Sequence, residues 1–397
     1  MSEDPVYFDP FDWDIRCEPY PVYQRLRDEA PLYFNERYGF YVLSRFDDVE
    51  RYLIDKETFS SAKGSTIDSV QADAQIPPAM FIAEDAPMHT RHRAIVSILF
   101  TPKSVSSLEP ATRAFCAEVL DELVEKKEFD FVTDLGGEVP MRVVGMLLGI
   151  PPADQVGLRE QFESAMQAAY SGGDAEPFEG MKVGYDVFGP YLDWRETHPA
   201  DDLMTELMTK EIEGADGVKR QLTRDELVTF CLLIASAGSD TTSRLIGWIG
   251  SLLAEHEADR HALRDDPSLV PNAVEEILRI ENPNYHVARY VTKDVEIHGQ
   301  VVPAGSAVVG LPGSANRDER QFPDPDDFDI RRKMRHHLSF GYGAHFCLGA
   351  ALARLEGRVV LEEVLKRMPD WEVDQSGARL TPGFITRGWA TLPVTVE

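Results

Sequence analysis

A cysteine stands inside a glycine-rich stretch near the C-terminal end, FGYGAHFCLG at residues 340–349. Gly341 and Gly343 allow positive φ angles and a close approach of the backbone to a flat ligand. The amphipathic pattern ALARLEGRVVLEEVLKRM that follows predicts a helix, so Cys347 lies at a helix N-terminus. Free backbone N–H groups favour a thiolate there, and a thiolate is a strong metal ligand or nucleophile. For a lone cysteine, a buried inert thiol is the alternative.

A second polar feature, AGSDTT at residues 237–242, interrupts a pattern that otherwise predicts one long helix. Thr223 and Glu226 form a capping box ahead of this pattern, which continues for roughly 30 residues, or about 45 Å. Gly238 weakens a helix by about 1 kcal/mol relative to alanine, and the Ser, Asp and Thr side chains compete for backbone groups. Such a conflict is expected at a functional site, although a polar patch that kinks a buried helix is the alternative. Charged residues within the apolar run exclude a membrane span.

These features, taken with two further segments, resemble one known family. FGYGAHFCLG resembles the haem-binding loop of the cytochrome P450 family, and AGSDTT resembles its oxygen-activation helix. EILR at 276–279 resembles its Glu-x-x-Arg pair, and His89 with Arg93 resembles its haem-propionate motif. Taken alone, a Glu and an Arg three positions apart on a helix usually form a modest surface pair. A His with an Arg four positions later usually lies on a solvated helix face. All four segments follow the family's order over nearly the whole chain.

The resemblance implies a haem b whose axial ligand is the thiolate of Cys347, which pushes electron density onto the iron and favours cleavage of the O–O bond. The two haem propionates need cationic or strongly donating partners in an apolar pocket. Arg289 stands just before a strand-like stretch, so a surface arginine is the alternative there. The cofactor-binding residues implied are His89, Arg93, Ala237, Arg289, His345, Cys347 and Gly349.

The same resemblance gives a structural role to Glu276, Arg279 and Phe340, in the layer behind the cysteine loop. Some family members place an arginine just before the phenylalanine of the following meander, whereas this chain has Asp327 before Phe328. The third partner of the Glu-Arg pair is therefore open, and Arg331 is a candidate.

The implied reaction inserts one atom of O2 into a C–H bond and reduces the other to water, with two electrons from a partner and two protons from solvent. Asp240 and Thr241 resemble the family's acid and alcohol, in which the hydroxyl holds oxygen and water in place while the carboxylate relays protons. Gly238 is expected to let the helix open locally beside the ligand. Members that use peroxide commonly lack this pair, and a non-catalytic haem sensor has no need of it, so the pair favours a monooxygenase.

The substrate pocket is placed by the resemblance alone, with a loop around 64 to 82 and a segment near 160 to 190 at its edges. Its lining is mostly apolar or neutral, which fits a moderately large apolar substrate and does not select among terpenoids, steroids, fatty acids and aromatics. The lining residues implied are Leu233, Ser236, Ala237, Tyr285, Val287, Ile385 and Thr386.

Electrons are expected from a separate acidic ferredoxin, because the sequence has neither a dinucleotide-binding glycine fingerprint nor an iron–sulfur cysteine spacing. NAD(P)H would then contribute only through a ferredoxin reductase. RRKMRHH at 331–337 precedes the cysteine loop, and Arg354 and Arg358 follow it on the next helix. We expect this positive face to steer the donor, the alternative being that these arginines only serve the fold.

The elements that must hold these residues are mostly helical. FCAEVLDELVEKK, PMRVVGMLLGI and NAVEEILRI have helical spacing, whereas PLYFNERYGFYVLSR and DVEIHGQVVPAGSAVVGL alternate as hairpin strands. The prediction is a mainly α fold with a minor β portion near each end, a cytochrome P450 fold with its long central helix over the haem. No linker or repeat divides the chain, so residues 1–397 are expected to form a single domain. GSTIDSVQADAQIPPAM and YSGGDAEPFEG are predicted as lids or binding loops, with solvated connections as the alternative.

Composition restricts the class of partner. The chain has 397 residues, of which 43% are hydrophobic, and a formal net charge of −28. That charge argues against nucleic-acid binding and against adhesion to an anionic membrane. Four cysteines without paired spacing indicate a reducing compartment without disulfides. MSEDPVYFDPFDWD lacks the pattern of a signal peptide, so a cytoplasmic, unanchored protein is expected.

Overall fold

Helices make up most of the protein, as a computed structural model shows for residues 5–72, 75–170, 179–214, 216–383 and 385–396. In chain order the α-helices are α1 (Trp13–Cys17), α2 (Tyr20–Glu29), α3 (Phe46–Ile54), α4 (Ile67–Ala72), α5 (Met88–Ser97), α6 (Pro102–Ser106), α7 (Glu109–Lys126), α8 (Glu138–Leu148), α9 (Pro152–Tyr170), α10 (Glu179–Thr197), α11 (Leu203–Thr209), α12 (Arg224–Glu255), α13 (Glu257–Asp265), α14 (Val270–Ile280), α15 (Pro312–Ala315) and α16 (Ala350–Arg367).

Short strands form the remaining regular structure. They are β1 (Leu32–Asn35), β2 (Phe40–Leu43), β3 (Phe59–Ser60), β4 (Glu128–Asp130), β5 (Glu211–Glu213), β6 (Lys219–Gln221), β7 (Val287–Val291), β8 (Val295–Ile297), β9 (Gln300–Val302), β10 (Ala307–Gly310), β11 (Trp371–Val373), β12 (Arg379–Leu380), β13 (Trp389–Thr391) and β14 (Pro393–Val396). The largest sheet has the order β1-β2-β10-β7-β3, in which only β2 and β10 run parallel. A second sheet has the order β11-β14-β4, and β5-β6, β8-β9 and β12-β13 are separate pairs.

The long helix α12 has 32 residues and begins at the predicted capping box. The Thr223 hydroxyl accepts a hydrogen bond from the Glu226 backbone N–H at 3.3 Å, and the Glu226 carboxylate accepts one from the Thr223 N–H at 2.7 Å. These bonds satisfy N–H groups that a helix start leaves without partners. Both halves of α12 are buried, in two different hydrophobic clusters, so the helix crosses the fold as predicted.

The structure corrects two sequence expectations about loops and strands. Strands β4, β5 and β6 lie in the middle of the chain, so the β portion is not confined to the two ends. The stretch 64–80, predicted as a loop, contains α4, whose Ile67 and Val70 are buried at helical spacing. Most of the second predicted loop, residues 171–178, lies outside the described residues. In the part of the chain that the structure describes, every helix is too short or too polar to cross a membrane.

Candidate active site

The cysteine loop folds back on itself just before α16. The backbone N–H of Cys347 donates to the Phe340 carbonyl at 2.8 Å, and the Phe346 N–H donates to the Gly343 carbonyl at 3.1 Å. Gly343 has φ +74°, and a Cβ there would lie 3.1 Å from the carbonyl oxygen of Leu53 on α3. Only glycine satisfies both the left-handed conformation and this close approach. The loop is therefore fixed against α3, with Cys347 at its end.

The thiol of Cys347 is subject to opposing influences. Burial raises the pKa of this thiol, while the backbone N–H groups of Gly349 and Ala350 and the guanidinium of Arg93 lower it in part. The helix start lowers the pKa as expected, but the net direction is upward because desolvation of the sulfur is the larger influence, even though the residue is exposed. A coordinated metal ion deprotonates a thiol outright, so this pKa is no obstacle to metal binding.

Four basic side chains lie beside the loop. The imidazole rings of His89 and His345 have centroids 4.1 Å apart, and Arg93 donates to the carbonyl of Phe346. Arg289 is only 2% exposed and donates to the carbonyls of Tyr52 at 3.0 Å and Leu53 at 3.1 Å. This burial excludes the surface-arginine alternative for Arg289.

These basic groups repel one another. Burial, together with the charges of His89, Arg289 and Arg93, lowers the pKa of His345 to about 3. The nearby carboxylates of Glu84 and Asp85 are already bonded, Glu84 to His92 at 2.8 Å and Asp85 to the Ser61 N–H at 3.0 Å.

Two donors in this group are left over. His89 Nε2 and Arg289 Nε are buried and make no hydrogen bond within the described ranges. Buried donors of this kind are costly unless a ligand accepts from them. The site therefore fits a flat ligand with two carboxylates, and it fits a haem with its propionates.

Within α12, an accessible stripe lies in an otherwise buried helix. Ala237 is exposed and Thr241, one turn later, is half-buried. The Thr241 hydroxyl donates to the Ala237 carbonyl at 2.8 Å, and Ser239 donates to the Ala235 carbonyl at 2.7 Å, so the hydroxyls are satisfied inside the helix. The helix continues unbroken, contrary to the expected local opening at Gly238. A Cβ at Gly238 would lie 3.0 Å from Val144 Cγ2, so this glycine allows close packing on α8.

Asp240 has both carboxylate oxygens bonded. Oδ1 accepts from Arg244 at 2.7 Å, and Oδ2 accepts from the hydroxyl of Thr386 at 2.8 Å. Sequence reasoning missed both partners of Asp240. The i,i+4 spacing of Asp240 and Arg244 could have revealed the first. Thr386 lies 146 residues away, and nothing local indicates that contact.

The residues predicted to line the substrate pocket divide into three groups by exposure. Leu233 and Tyr285 are 5% and 4% exposed and belong to the hydrophobic core. Ala237 and Ile385 are exposed. The remaining three, all half-buried, are Ser236, Val287 and Thr386.

The Glu276–Arg279 pair is completely buried, with contacts of 2.7 and 2.8 Å. Its third partner is Arg332, whose Nε lies 3.0 Å from Glu276 and whose side chain is 10% exposed. Arg331 as the candidate is wrong: it is 56% exposed and faces Asp259 at 3.8 Å. Residues 331–333 follow a turn, so a shift of one position decides which arginine faces inward.

The basic face is smaller than the sequence suggested. Arg332 is turned inward, Arg354 pairs with Glu275 and stacks on Phe340, and Arg358 pairs with Glu109. Lys333 and Arg335 are exposed and make no ion pair with the described residues.

A long central helix, together with a cysteine loop that has basic side chains beside it, is an arrangement that suits a haem-binding oxidoreductase. Cytochrome P450 CYP109Q5 from Chondromyces apiculatus has this fold, with a TM-score of 0.85 and 33% identity over 99% of this chain and 98% of its own. The family model described as Cytochrome P450 matches residues 191–382.

Two curated relatives extend the match to almost the whole length of the chain. Putative cytochrome P450 123 of Mycobacterium tuberculosis is 36% identical over 100% of this chain and 98% of its own. Steroid C26-monooxygenase of the same species is 34% identical over 94% of this chain and 92% of its own. The chain belongs to the cytochrome P450 family. It is a P450 monooxygenase, an oxidoreductase that uses haem, O2 and an external electron donor.

Proposed function

We propose that residues 1–397 form one catalytic domain that hydroxylates a C–H bond of a moderately large apolar molecule. The observation that carries this proposal is the adjacent acid and alcohol, Asp240 and Thr241, on the accessible stripe of a buried helix. Haem b supplies the chemistry that activates O2. The protein must then hold the cofactor, exclude bulk water and deliver protons.

Cys347 is the proposed axial ligand, presented by a loop that glycines fix against α3. His89, Arg93, Arg289 and His345 are the proposed partners of the propionates. Two carboxylates at this position would offset the mutual repulsion of the basic groups and accept from the leftover donors of His89 and Arg289. Ala237 and Gly349 leave room for a flat cofactor because neither has a bulky side chain.

Thr241 is proposed to hold oxygen and water, and Asp240 is proposed to transfer protons. The Thr241 hydroxyl is bonded only to the helix carbonyl of Ala237, so it can rotate to hold oxygen and water. Asp240 has a side chain that is 41% exposed and can exchange protons with its surroundings. A peroxide-using enzyme or a non-catalytic haem sensor would have no use for this pair.

The substrate is proposed to be apolar and moderately large, because the two exposed residues of the predicted lining, Ala237 and Ile385, are apolar. A relative named steroid C26-monooxygenase supports a steroid among the classes that the sequence left open. Testosterone, palmitic acid and β-ionone form a first panel, and a change in the haem absorption spectrum reports binding near the iron.

We predict that, with the panel compound that binds best and 18O2, the product contains one labelled oxygen. Thr241→Ala should still bind the compound but lower the product formed per NADH at least about tenfold, releasing hydrogen peroxide instead, because positioned proton-transfer groups typically contribute 10²–10⁴-fold. Ser239→Ala, which removes a similar helix-bonded hydroxyl, is the control and should behave as wild type. Label from water, or an unchanged yield in Thr241→Ala, would contradict the proposal.

The electron donor is proposed to be an acidic ferredoxin that receives electrons from NAD(P)H through its reductase, in the cytoplasm. Lys333 and Arg335 support this, since they are exposed, without ion pairs among the described residues and close in sequence to the cysteine loop. On a protein with a net charge of −28, a local positive patch would steer an acidic partner mainly through the association rate.

We predict that the double variant Lys333→Glu/Arg335→Glu slows the first electron transfer from ferredoxin at low salt, and that added salt narrows the difference as screening sets in. Lys219→Glu/Arg379→Glu makes the same charge change at exposed positions outside this segment and is the control. The measurement is stopped-flow reduction of the haem protein. Equal slowing in both double variants would show a general charge effect and exclude this docking face.

A further inference from the structure

The carboxylate of Asp240 is oriented by the C-terminal segment 386–389. Thr386 bonds Oδ2 directly, and Arg244, which bonds Oδ1, also donates to the carbonyl of Trp389. Gly388 makes room for this arginine, since a Cβ there would lie 2.7 Å from Arg244 Cβ. Both partners of the carboxylate thus depend on one segment.

The two partners of Asp240 differ in what they can do with a proton. A guanidinium is a donor only and does not lose its proton in proteins, so Arg244 can orient Asp240 but cannot resupply it. A hydroxyl donates and accepts together, so Thr386 can give a proton to Asp240 while taking one from another group. Among the residues that the structure describes at this carboxylate, Thr386 is the group with that property.

Thr386 is firmly placed. It forms an isolated β-bridge with Asn284, and its chain neighbours are bonded on both sides: the Tyr285 N–H donates to the Ile385 carbonyl at 3.0 Å, and the Arg387 N–H donates to the Pro283 carbonyl at 2.8 Å. Its hydroxyl is therefore held towards Asp240 by backbone bonds that do not depend on the carboxylate.

Thr386 also lines a small cavity. Its volume is about 10 Å³, close to the minimum for a single water. The lining includes Trp13, Arg16, Cys17, Tyr285, Thr386 and Gly388. Arg16 donates to the carbonyls of residues 381–383, and Arg387, also in the lining, bonds Glu281 and Tyr20. These cations are engaged elsewhere, so the hydroxyls of the lining, among them those of Thr386 and Tyr285, are the groups that can bond a water there.

We propose that Thr386 passes protons from a cavity water to Oδ2 of Asp240, as a route beside the direct exposure of this carboxylate, an inference that rests on the proposed function. The Thr386 hydroxyl gives its proton to Asp240 Oδ2 and takes one from a water in the cavity, which is resupplied from solvent. Asp240 passes its proton to the oxygen site beside Thr241 and becomes a carboxylate again. Thr386 is unchanged after each transfer, and no oxidant or reductant is consumed.

Thr386→Val, which keeps the shape but removes the hydroxyl, tests this in the haem-loaded protein. NADH-driven product formation through ferredoxin, with the best binder of the panel, should fall about tenfold, less than for a group that itself reacts, because water replaces the hydroxyl in part. The solvent isotope effect in D2O on this NADH-driven rate should rise, because proton delivery then limits the rate more strongly. Product formation driven by hydrogen peroxide, which brings its own protons and electrons, should change little. Thr386→Ser should restore the ferredoxin-driven rate.

Thr391→Val is the matched control, because Thr391 follows the segment 386–389 closely and its hydroxyl donates to the Gly377 carbonyl and to no other described residue. An equal loss with ferredoxin and with peroxide, or weakened binding of the panel compound, would reduce Thr386 to a pocket residue and overturn the inference. An unchanged ferredoxin-driven rate with an unchanged solvent isotope effect would also overturn the inference. If Thr386→Val does not load haem, Thr386→Ala takes its place. A wild-type protein that makes no product at all would instead refute the proposed function.

Discussion

Replacing Cys347 with serine is expected to abolish the red-shifted absorption that carbon monoxide produces with a reduced, thiolate-ligated haem. The physical reason is the loss of the one sulfur that the loop presents between the basic groups and α16. Serine keeps the size and the backbone bonds of the loop, so haem should still bind through its propionate partners. Without thiolate donation to iron, O–O cleavage is no longer favoured and product formation should be lost.

Cys17→Ser is the control for this variant. Cys17 is half-buried and free, like Cys347 in being partly accessible, and it lies at the end of α1. The remaining thiols, Cys116 and Cys231, are buried, and burial raises the pKa of each to about 12, so they are inert. An unaltered carbon monoxide spectrum in Cys347→Ser, or its loss in Cys17→Ser, would mean that the ligand has been assigned wrongly.

Features encoded by local rules were predictable from the sequence. The capping box that starts α12, the helix after Cys347 and the β1-β2 hairpin each depend on residues within one short stretch. The glycine requirement at Gly343 is similar, because its positive φ belongs to the turn itself. Even so, the residue that prevents a side chain there is Leu53, which is 290 positions away and has no local indicator.

What the sequence could not predict depends on contacts between distant segments. The bond from Thr386 to Asp240 and the inward turn of Arg332 are set by packing, and several arginines in the same stretch have the same local propensity. The direction of the Cys347 pKa was not predictable for a related reason: the helix start is local, whereas desolvation depends on everything packed around the thiol. Sequence patterns therefore predicted candidate residues of the site but not the partners that orient them.

Arg332→Ala is expected to lower the free energy of unfolding by about 3 kcal/mol, the low end for removing one partner of a buried ion pair. Arg332 bonds Glu276 at 3.0 Å and also donates to the carbonyls of Asp324 and Asp327 at 2.9 and 2.8 Å. Its removal takes one bond from each of these acceptors, although Arg279 still donates to Glu276 and to the Asp327 carbonyl, and the Asp327 N–H still donates to the Asp324 carbonyl. The loss stays at the low end because Arg279 still neutralises Glu276. Urea unfolding of the haem-loaded protein, followed by its absorption, measures the change.

Arg331→Ala is the matched variant, one position away and with the same loss of charge. Its side chain is 56% exposed and its contact with Asp259 is 3.8 Å, so its removal should change stability by less than about 0.5 kcal/mol. The comparison separates burial from charge, because a general effect of losing one positive charge from an acidic protein would appear in both variants. Equal destabilisation by the two would contradict the assignment of Arg332 as the third partner. A large effect of Arg332→Ala alone would show that this arginine stabilises the fold through the buried Glu276–Arg279 pair and not through its charge in general.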